Sequence, residues 1–523
     1  MRQSLEDKKV PEQQKSLIVT MPPPVGGWNA RDALPNMPVT DAVQLTNEVP
    51  WPSDVRTRLG STDWSTGYPA PVNTLMPFNS STAGSKRLFA ASGTAIYDAT
   101  SSGAVGAAVV SGLTNSQWQW VNFATSAGQF LCTVNGADSY YTYNGSAWTA
   151  TATMPITGGG TLNMNTVIGI AIYQSTLYFI PINTLGFYYL PAQQITGTVT
   201  YFNLAALCKK GGYLVQIDTW TVDGGAGPQD YFVALTSEGE VVVFQGSAFS
   251  IPIGTAGFMN MVGVYFIARP LGRRCTFKYG GDLLILTERG VFPISVALAA
   301  ASIDKRVAIT DKVEPAFVAN AQAAFSSFGW QLEAHTQGQI LIVNIPTTPQ
   351  VQFVMQFQSR GWCNFTGWNA NCFLYFNGVM YYGGATAVTA CYTGTSDNGN
   401  AIQTVILPAF TQLKIPGQQK HVKMVRPYFS ANGNFAFSVG AAVDYNVPYP
   451  PNAPQAVTTT LSLWDVALWD VGVWGSLNAQ SKPWTTVQSF PCVAFTPFFQ
   501  ISTNSATIMI EAYDVLFARG GVL

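Results

Sequence analysis

The stretch DYFVALTSEGEVVVFQG (residues 230–246) joins two runs of β-branched and aromatic residues through a turn that contains Gly239. This pattern is typical of a β-hairpin, because Val, Phe and Tyr favour strands and glycine tolerates the positive φ of tight turns. The same pattern recurs in residues 87–99, 129–148, 175–191, 281–295, 338–345 with 351–362, and 372–384. The repetition predicts an all-β protein.

The hairpins return at a loose period of roughly 50 residues, which is the length of one four-stranded propeller blade. The marker positions are Leu88, Phe130, Leu177, Phe232, Leu283, Ile340 and Phe373. The spacing predicts a β-propeller with roughly six to eight blades. A β-sandwich or a set of stacked β domains would place strands at similar spacing and stays open as an alternative.

Helix signals are sparse outside the hairpins. TDAVQLTNEV (residues 40–49) has a cap candidate in Thr40 or Asp41 and ends before Pro50, which predicts one short helix. EPAFVANAQAAFSS (residues 314–327) is a second helix candidate.

Composition changes along the chain predict four regions. Residues 1–20 form a polar tail that is disordered or orders late, and residues 21–80 form a Pro-rich, irregular arm. Residues 81–395 form the propeller. Residues 396–523 form a β-sandwich-like C-terminal domain, on which we expect the arm to pack.

Charge is scarce in this chain. Asp, Glu, Lys and Arg make up 10% of the 523 residues, and 26 basic against 27 acidic residues give a net charge of −1. This balance excludes a strongly basic nucleic-acid binder and a highly charged disordered chain. Low surface charge indicates a subunit of a large assembly, covered by its neighbours. We expect no secretory signal and no membrane-spanning helix, because neither apolar pattern occurs.

The residues that usually carry catalysis form no motif. The chain has two histidines and seven scattered cysteines without a CxxC pair, and it lacks the nucleophile-elbow, zincin and P-loop patterns. Glu238 and Glu240 fall in a predicted hairpin turn, where we expect solvated carboxylates. TSDNGNAI (residues 395–402) is a degenerate Asp-box pattern and is interpreted as a turn. We therefore expect reduced thiols, no enzyme activity, no cofactor and no metal.

Two basic clusters and one tryptophan repeat stand out. The first cluster is Arg269, Arg273, Arg274 and Lys278, and the second is Lys414, Lys420, Lys423 and Arg426. We expect these clusters to face DNA, acidic groups of a neighbouring subunit, or solvent. In LWDVALWDVGVWGS the tryptophans are spaced by five, which matches neither a helix face nor a strand face and indicates small turns. The repeat anchors the segment in its own core or on a neighbour; its residues are Trp464, Asp465, Trp469, Asp470 and Trp474.

PPVGGWNARDALPNMPVTDAVQLTNEVPWPSDVRTRLG (residues 23–60) carries a spaced signature. A Gly-Gly-x-Asn start is followed by Asp-x-Leu-x-x-Met-Pro, Asp-Ala, Asn and a closing Arg-x-Gly. This pattern resembles the N-terminal signature of the tail nozzle (hub) proteins of short-tailed bacteriophages, which are related to the packaged-DNA stabilisation proteins. The Trp-Asp repeat also resembles one seen in phage tail proteins.

The resemblance implies a structural virion protein, made in the host cytoplasm and placed in the tail as a homo-oligomeric ring, most often of six copies. The ring extends the DNA channel, helps to retain packaged double-stranded DNA and lets it leave without sequence-specific binding. Implied partners are a tail adaptor ring, fibres or spikes, and a plug or needle. The interface candidates are Gly27, Trp28, Asn29, Arg31, Asp32 and Arg58, with the Trp-Asp repeat.

Two other functions stay open. A receptor-binding or glycan-binding tail propeller, with or without glycan cleavage, predicts an exposed aromatic platform or paired carboxylates and activity as a monomer. A structural propeller of non-viral origin is the third alternative.

Overall fold

The computed structural model describes residues 16–82, 84–223, 228–246, 249, 259–299, 308–433, 435–447, 454, 478–481, 483–487 and 491–522. The chain divides into two compact units. Unit 1 draws on residues 1–58, 358–363 and 401–523, and unit 2 on residues 59–357 and 364–400.

Unit 1 begins with five strands. They are β1 (Ser16–Met21), β2 (Gly27–Trp28), β3 (Asp41–Thr46), β4 (Glu48–Pro50) and β5 (Val55–Thr57).

The following strands belong to unit 2, except that β32 crosses the unit boundary along the chain. The first group is β6 (Ser61–Thr66), β7 (Val72–Phe78), β8 (Arg87–Ser92), β9 (Ala95–Asp98), β10 (Gly103–Ala104), β11 (Val110–Ser111), β12 (Gln119–Thr125), β13 (Gly128–Val134), β14 (Tyr140–Tyr143), β15 (Trp148–Thr151), β16 (Thr153–Pro155), β17 (Thr161–Asn163), β18 (Val167–Tyr173), β19 (Thr176–Pro181), β20 (Gly186–Tyr189) and β21 (Thr200–Asn203). The second group is β22 (Leu214–Asp223), β23 (Pro228–Thr236), β24 (Glu240–Gln245), β25 (Asn260–Phe266), β26 (Thr276–Tyr279), β27 (Asp282–Thr287), β28 (Gly290–Pro293), β29 (Gln331–His335), β30 (Ile340–Ile345), β31 (Val351–Gln356), β32 (Trp362–Phe365), β33 (Cys372–Phe376), β34 (Val379–Gly383) and β35 (Ala387–Cys391).

Unit 1 resumes after β35, and helices are few. The remaining strands are β36 (Ile402–Pro408), β37 (Gln418–Ala431), β38 (Ala436–Val443), β39 (Asn478–Ser481), β40 (Thr485–Thr486), β41 (Phe495–Thr503) and β42 (Ile508–Val522). The α-helices are α1 (Ile294–Ala299) and α2 (Glu314–Ala323), with 3-10 turns at Leu34–Asn36, Met164–Thr166 and Asp311–Val313.

Apart from the two-stranded pair β16–β17, the described residues of unit 2 form a propeller of seven sheets. Consecutive antiparallel strands form each sheet: β7–β8–β9–β11, β12–β15, β18–β21, β22–β25, β26–β28, β29–β31, and β33–β35 with β6. The innermost strands contact one another in cyclic order from β7 through β12, β18, β22, β26, β29 and β33 back to β7. The strand β6, which comes from an earlier part of the chain, completes the last sheet by pairing antiparallel with β35.

The core of unit 2 lies between neighbouring sheets, where large apolar side chains interdigitate. Between the third and fourth sheets, the buried ring of Phe232 lies 5.3 Å from that of Phe187 and 5.0 Å from that of Phe249. Further clusters fill the spaces between the first and second, the second and third, and the seventh and first sheets. The alternating aromatic runs of the hairpins supply these layers.

Unit 1 consists of two sheets that combine strands from both parts of the chain. In one sheet, β3 pairs with β2 in parallel and with β36 antiparallel, followed by β41 and β38. In the other sheet, the long strand β42 pairs with β37, β1 and β5. The Phe499 and Tyr513 rings, one from each sheet, lie 5.5 Å apart.

The predicted all-β fold with a propeller is confirmed, and so are the hairpins and the helix after residue 314. The helix predicted over residues 40–49 is wrong, because β3 and β4 occupy this segment. Asn47 has a φ of 58°, which turns the chain between the two strands. Pairing with β2 and β36 therefore overrides the local helix signal.

Phe232→Ala should lower the free energy of unfolding of unit 2 by about 3–5 kcal/mol, since it leaves a cavity among packed rings. Phe266→Ala in the same sheet is the matched control. Its side chain is 44% exposed, and Lys210 Nζ lies 4.9 Å from its ring centroid, so the expected loss is below about 1 kcal/mol. Guanidinium denaturation measures both losses. Equal losses would contradict the assigned core.

Candidate functional site

The start of the signature folds into one hydrogen-bonded turn in unit 1. Asn29 is buried, and its amide nitrogen donates to Asp41 Oδ2 at 2.8 Å and to Asp32 Oδ2 at 2.9 Å. Its Oδ1 accepts the backbone N–H groups of Arg31 at 3.1 Å and Asp32 at 3.0 Å. Asn29 thus uses both ends of its side-chain amide to hold the turn, a role that a hydrophobic residue cannot take.

The other residues of this turn are less buried. Arg31 Nε lies 2.7 Å from Asp32 Oδ1, and the Arg31 side chain is 40% exposed. Gly27 and Trp28 form the short strand β2, in which Trp28 is partly buried. Gly27, Trp28, Asn29, Arg31 and Asp32 remain predictions as interface residues.

The end of the signature forms a second buried group of hydrogen-bonded residues. Arg58 Nε donates to Asn47 Oδ1 at 2.9 Å, and the Arg58 N–H donates to the Asn47 carbonyl at 3.0 Å. Asn47 Nδ2 in turn donates to the Gln403 carbonyl at 2.8 Å. Arg58 is 2% exposed, so contacts within its own chain already cover this interface candidate.

Glu48, which no sequence motif singled out, is a fully buried acid of this region. Glu48 has no exposed surface, and its Oε1 accepts a hydrogen bond from Thr57 Oγ1 at 3.0 Å. Burial raises the pKa of Glu48 to about 8, with Thr57 acting in the opposite direction. Glu48 is therefore mostly protonated at neutral pH.

The first basic cluster divides between two cavities of unit 2, of which the first is its central channel. A cavity of about 510 Å³ is lined by residues from the innermost strands of all seven sheets. Arg273, Arg274 and Lys278 line it, together with the acidic residues Asp218 and Glu333. Arg269 lies instead beside a second cavity of about 570 Å³, which Arg273 also lines.

Most cations of this cluster have partners within the chain. Arg269 Nη2 lies 2.8 Å from Glu288 Oε2, and Lys278 Nζ lies 3.6 Å from Asp218 Oδ1. Arg274 Nη2 donates to Thr74 Oγ1 at 2.8 Å. It also donates to the Trp118 carbonyl at 3.2 Å, while Nη1 donates to Gln331 Oε1 at 3.3 Å.

Most cations of the second basic cluster contact other groups of unit 1. Lys420 has no exposed surface, and its Nζ donates to two backbone carbonyls at 2.8 and 2.9 Å. Arg426 Nη2 lies 2.6 Å from Asp514 Oδ2, and Lys423 Nζ donates to Ser16 Oγ at 3.3 Å. These partners belong to the same chain, so neither cluster is a continuous row of free charges. The Trp-Asp repeat (Trp464, Asp465, Trp469, Asp470 and Trp474) lies outside the described residues.

The prediction that Glu238 and Glu240 are both solvated is wrong for Glu240. Glu240 has no exposed surface, and its two carboxylate oxygens accept the backbone N–H groups of Lys209 at 2.7 Å and Lys210 at 3.0 Å. The chain segment that ends at Lys210 folds back over the hairpin and buries this carboxylate. Glu238, in the turn itself, is partly exposed.

The cysteines and His335 have structural environments. All seven cysteines are free thiols; six are buried and Cys208 is partly buried. His335 Nδ1 accepts the Gly338 N–H at 2.7 Å, and burial lowers its pKa. Within the described ranges, no group of three or more His, Cys, Asp or Glu side chains is placed to hold a metal ion. Among the helices of those ranges, none has the length and apolar character needed to cross a bilayer.

No sequence motif singled out the acids of the channel, Asp218 and Glu333. Each interrupts a strand of mostly apolar or neutral residues, LVQIDTWTVD and QLEAH. A charged residue inside a strand was the available signal. The convergence of these strands on one channel depends on the ring, and no local spacing records it.

Several solved structures resemble parts of the chain at low sequence identity. No protein-family model matches the chain, and no curated protein matches it. Among solved structures, BBS1N in complex with ARL6DN is 13% identical, over 46% of this chain and 66% of that one, with a TM-score of 0.28. The extracellular domain of BT4673 from B. thetaiotaomicron is 9% identical, over 86% of this chain and 62% of that one, with a TM-score of 0.39.

YCF48 bound to D1 peptide is 11% identical, over 62% of this chain and 94% of that one, with a TM-score of 0.34. The chain spans less than two thirds of the length of the BBS1N and BT4673 chains cited above. The propeller assignment rests on the chain's own strand pairing.

Gly27→Ala should destabilise unit 1 strongly. Gly27 has a φ of 79°, and a Cβ would lie 2.5 Å from the backbone nitrogen of Trp362. Gly417→Ala is the matched control, with a φ of 72° and no atom within 4 Å of its added Cβ. We expect a loss of about 1 kcal/mol at Gly417, from backbone strain, and at least about twice that loss at Gly27. Equal shifts in thermal denaturation would contradict the close approach.

Glu48 should make unit 1 less stable as pH rises. Between the ordinary pKa of 4.5 and the folded value of about 8, the folded state holds a proton that the unfolded state has lost. The stability contributed by the neutral acid is complete below pH 4.5 and is lost as pH approaches 8. Glu48→Gln should flatten this part of the pH profile in urea denaturation.

Glu333→Gln is the control for Glu48→Gln, because the pKa of Glu333 in unit 2 is also raised to about 8 by burial. Glu48→Gln should flatten the pH dependence of the stability of unit 1, and Glu333→Gln that of unit 2. An unchanged pH profile in Glu48→Gln would show that Glu48 is ionised in the folded protein.

Proposed function

We propose that the chain is the tail nozzle subunit of a short-tailed phage. In this proposal it is a structural virion protein, and six copies of it assemble into a ring around the path of the exiting DNA. The adaptor ring, fibres or spikes, and a plug or needle are its proposed neighbours.

The observation that carries the proposal is the structural role of the signature. Asn29 contacts Asp32 and Asp41, and Asn47 contacts Arg58, each through side-chain hydrogen bonds inside unit 1. The spaced pattern on which the resemblance rests therefore encodes a folded element. Coincidental matches in a loop would not be expected to interlock in this way.

The pairing and burial of several basic side chains also support a role in a DNA channel. A wall of free Lys and Arg would hold DNA phosphates and oppose sliding. Here Arg269, Lys278 and Arg426 have acidic partners in their own chain, and Lys420 is buried. These four residues therefore offer little free charge to DNA phosphates, which suits a channel that lets DNA pass.

Imaging of the virion tests this proposal. The phage gene would be given a C-terminal hexahistidine tag, and tagged particles would be labelled with nickel-coated gold and averaged by electron microscopy. We expect gold around the tip of the tail and six-fold rings with a central opening in end views. Untagged particles are the control. Label on single peripheral appendages, or label absent from particles, would overturn the nozzle, and peripheral label would favour the receptor- or glycan-binding alternative.

A further inference from the structure

Among the described residues, Arg273 and Arg274 line the central channel of unit 2 without an acidic partner, and of these two only Arg274 has hydrogen-bond partners. Arg273 precedes β26 and lines both the 510 Å³ and the 570 Å³ cavities. Within the part of the chain that the structure describes, Arg273 has neither a hydrogen-bond nor an ion-pair partner. Burial lowers its pKa, but a guanidinium stays charged in proteins.

The position of Arg273 places its guanidinium across the channel. A Cβ added to Gly136 would lie 3.6 Å from Arg273 Nη1. Gly136 follows β13 in the second sheet, whereas Arg273 precedes β26 in the fifth. The side chain therefore bridges two sheets that are separated in the ring, where a ligand in the channel would meet it.

The other charged groups at the two cavities leave an excess of positive charge. Lys278 and Asp218 pair with each other, and Glu333 is mostly neutral at pH 7 because burial raises its pKa to about 8. Arg274 is charged and hydrogen-bonded to neutral groups only. At the second cavity, Arg269 pairs with Glu288, and Glu238 is the remaining acid.

We propose that the channel of unit 2 binds a small anionic ligand, whose carboxylate or phosphate group is held by Arg273. A partly buried cation without a counter-ion is costly, and an oxyanion accepts two parallel hydrogen bonds from one guanidinium. The cavity has the size of typical small-molecule sites. Gln119, Trp120 and Gln216 supply polar and aromatic groups for the rest of the ligand.

This site lies within unit 2, whereas the signature that supports the nozzle proposal lies in unit 1. The ligand proposal therefore does not depend on the nozzle function. Its test can succeed or fail with the purified full-length chain alone.

Isothermal titration calorimetry at constant ionic strength tests the site, with inorganic phosphate and succinate as separate probes and sodium chloride as the control for screening. We expect saturable one-to-one binding of at least one probe by millimolar concentration, and the arm that saturates identifies the oxyanion. Arg273→Gln should weaken this binding by about tenfold or more, because the charged fork is lost. Arg269→Gln, which alters an arginine that is already paired, should leave it unchanged.

Two outcomes would overturn the site: no saturable heat with either probe, or equal binding by Arg273→Gln and the unchanged chain. Without ligand, Arg273→Gln should melt at the same temperature as the unchanged chain or higher, since it removes an uncompensated charge. If this variant does not fold, Arg273→Lys takes its place. It keeps the charge without the planar fork, and its affinity should fall severalfold.

Discussion

Closure of each unit depends on strand pairing between distant parts of the chain. In unit 2, β6 completes the last sheet of the ring by pairing with β35, and Thr389 Oγ1 donates to Asp63 Oδ1 across 326 positions. In unit 1, β1 pairs with β42, and Thr20 Oγ1 donates to Asp514 Oδ1 across 494 positions. Neither sheet is complete until the C-terminal strands exist. The entropy of closing such long loops is recovered only when the backbone hydrogen bonds and the buried faces form together.

This dependence explains which features the sequence could predict. The hairpins are local, since strand, turn and strand lie within about 20 residues and their residue types agree with the fold. The segment at Asp41–Thr46 is different, because its partner β36 lies at Ile402–Pro408. Its local pattern fitted a helix, and only the distant partner makes it a strand. Glu240 repeats the lesson, since its hairpin was predicted but the segment that caps its carboxylate was not.

The signature shows how a short motif can record non-local structure. Its Asn and Arg residues were recognisable as a pattern, but the pattern alone did not say what each residue does. In the fold, Asn29 and Asn47 each satisfy several backbone or side-chain groups, and Arg58 is almost fully buried. Replacing any of these leaves a buried polar group without its partner, which costs more than the hydrogen bond itself contributes. Such residues are therefore fixed by folding alone, whatever further contacts the surface makes.

The chain has few charged residues, so the environment of each one is informative. Only 53 residues of the chain are Asp, Glu, Lys or Arg, and burial keeps Glu48 and Glu333 largely neutral at pH 7. Most cations of the two basic clusters contact acids or carbonyls of their own chain. Arg273 has no such contact among the described residues, and it lies where the seven innermost strands converge. A partly buried cation that has neither a counter-ion nor a hydrogen-bond acceptor is costly, and an anion supplied from outside the chain would remove that cost.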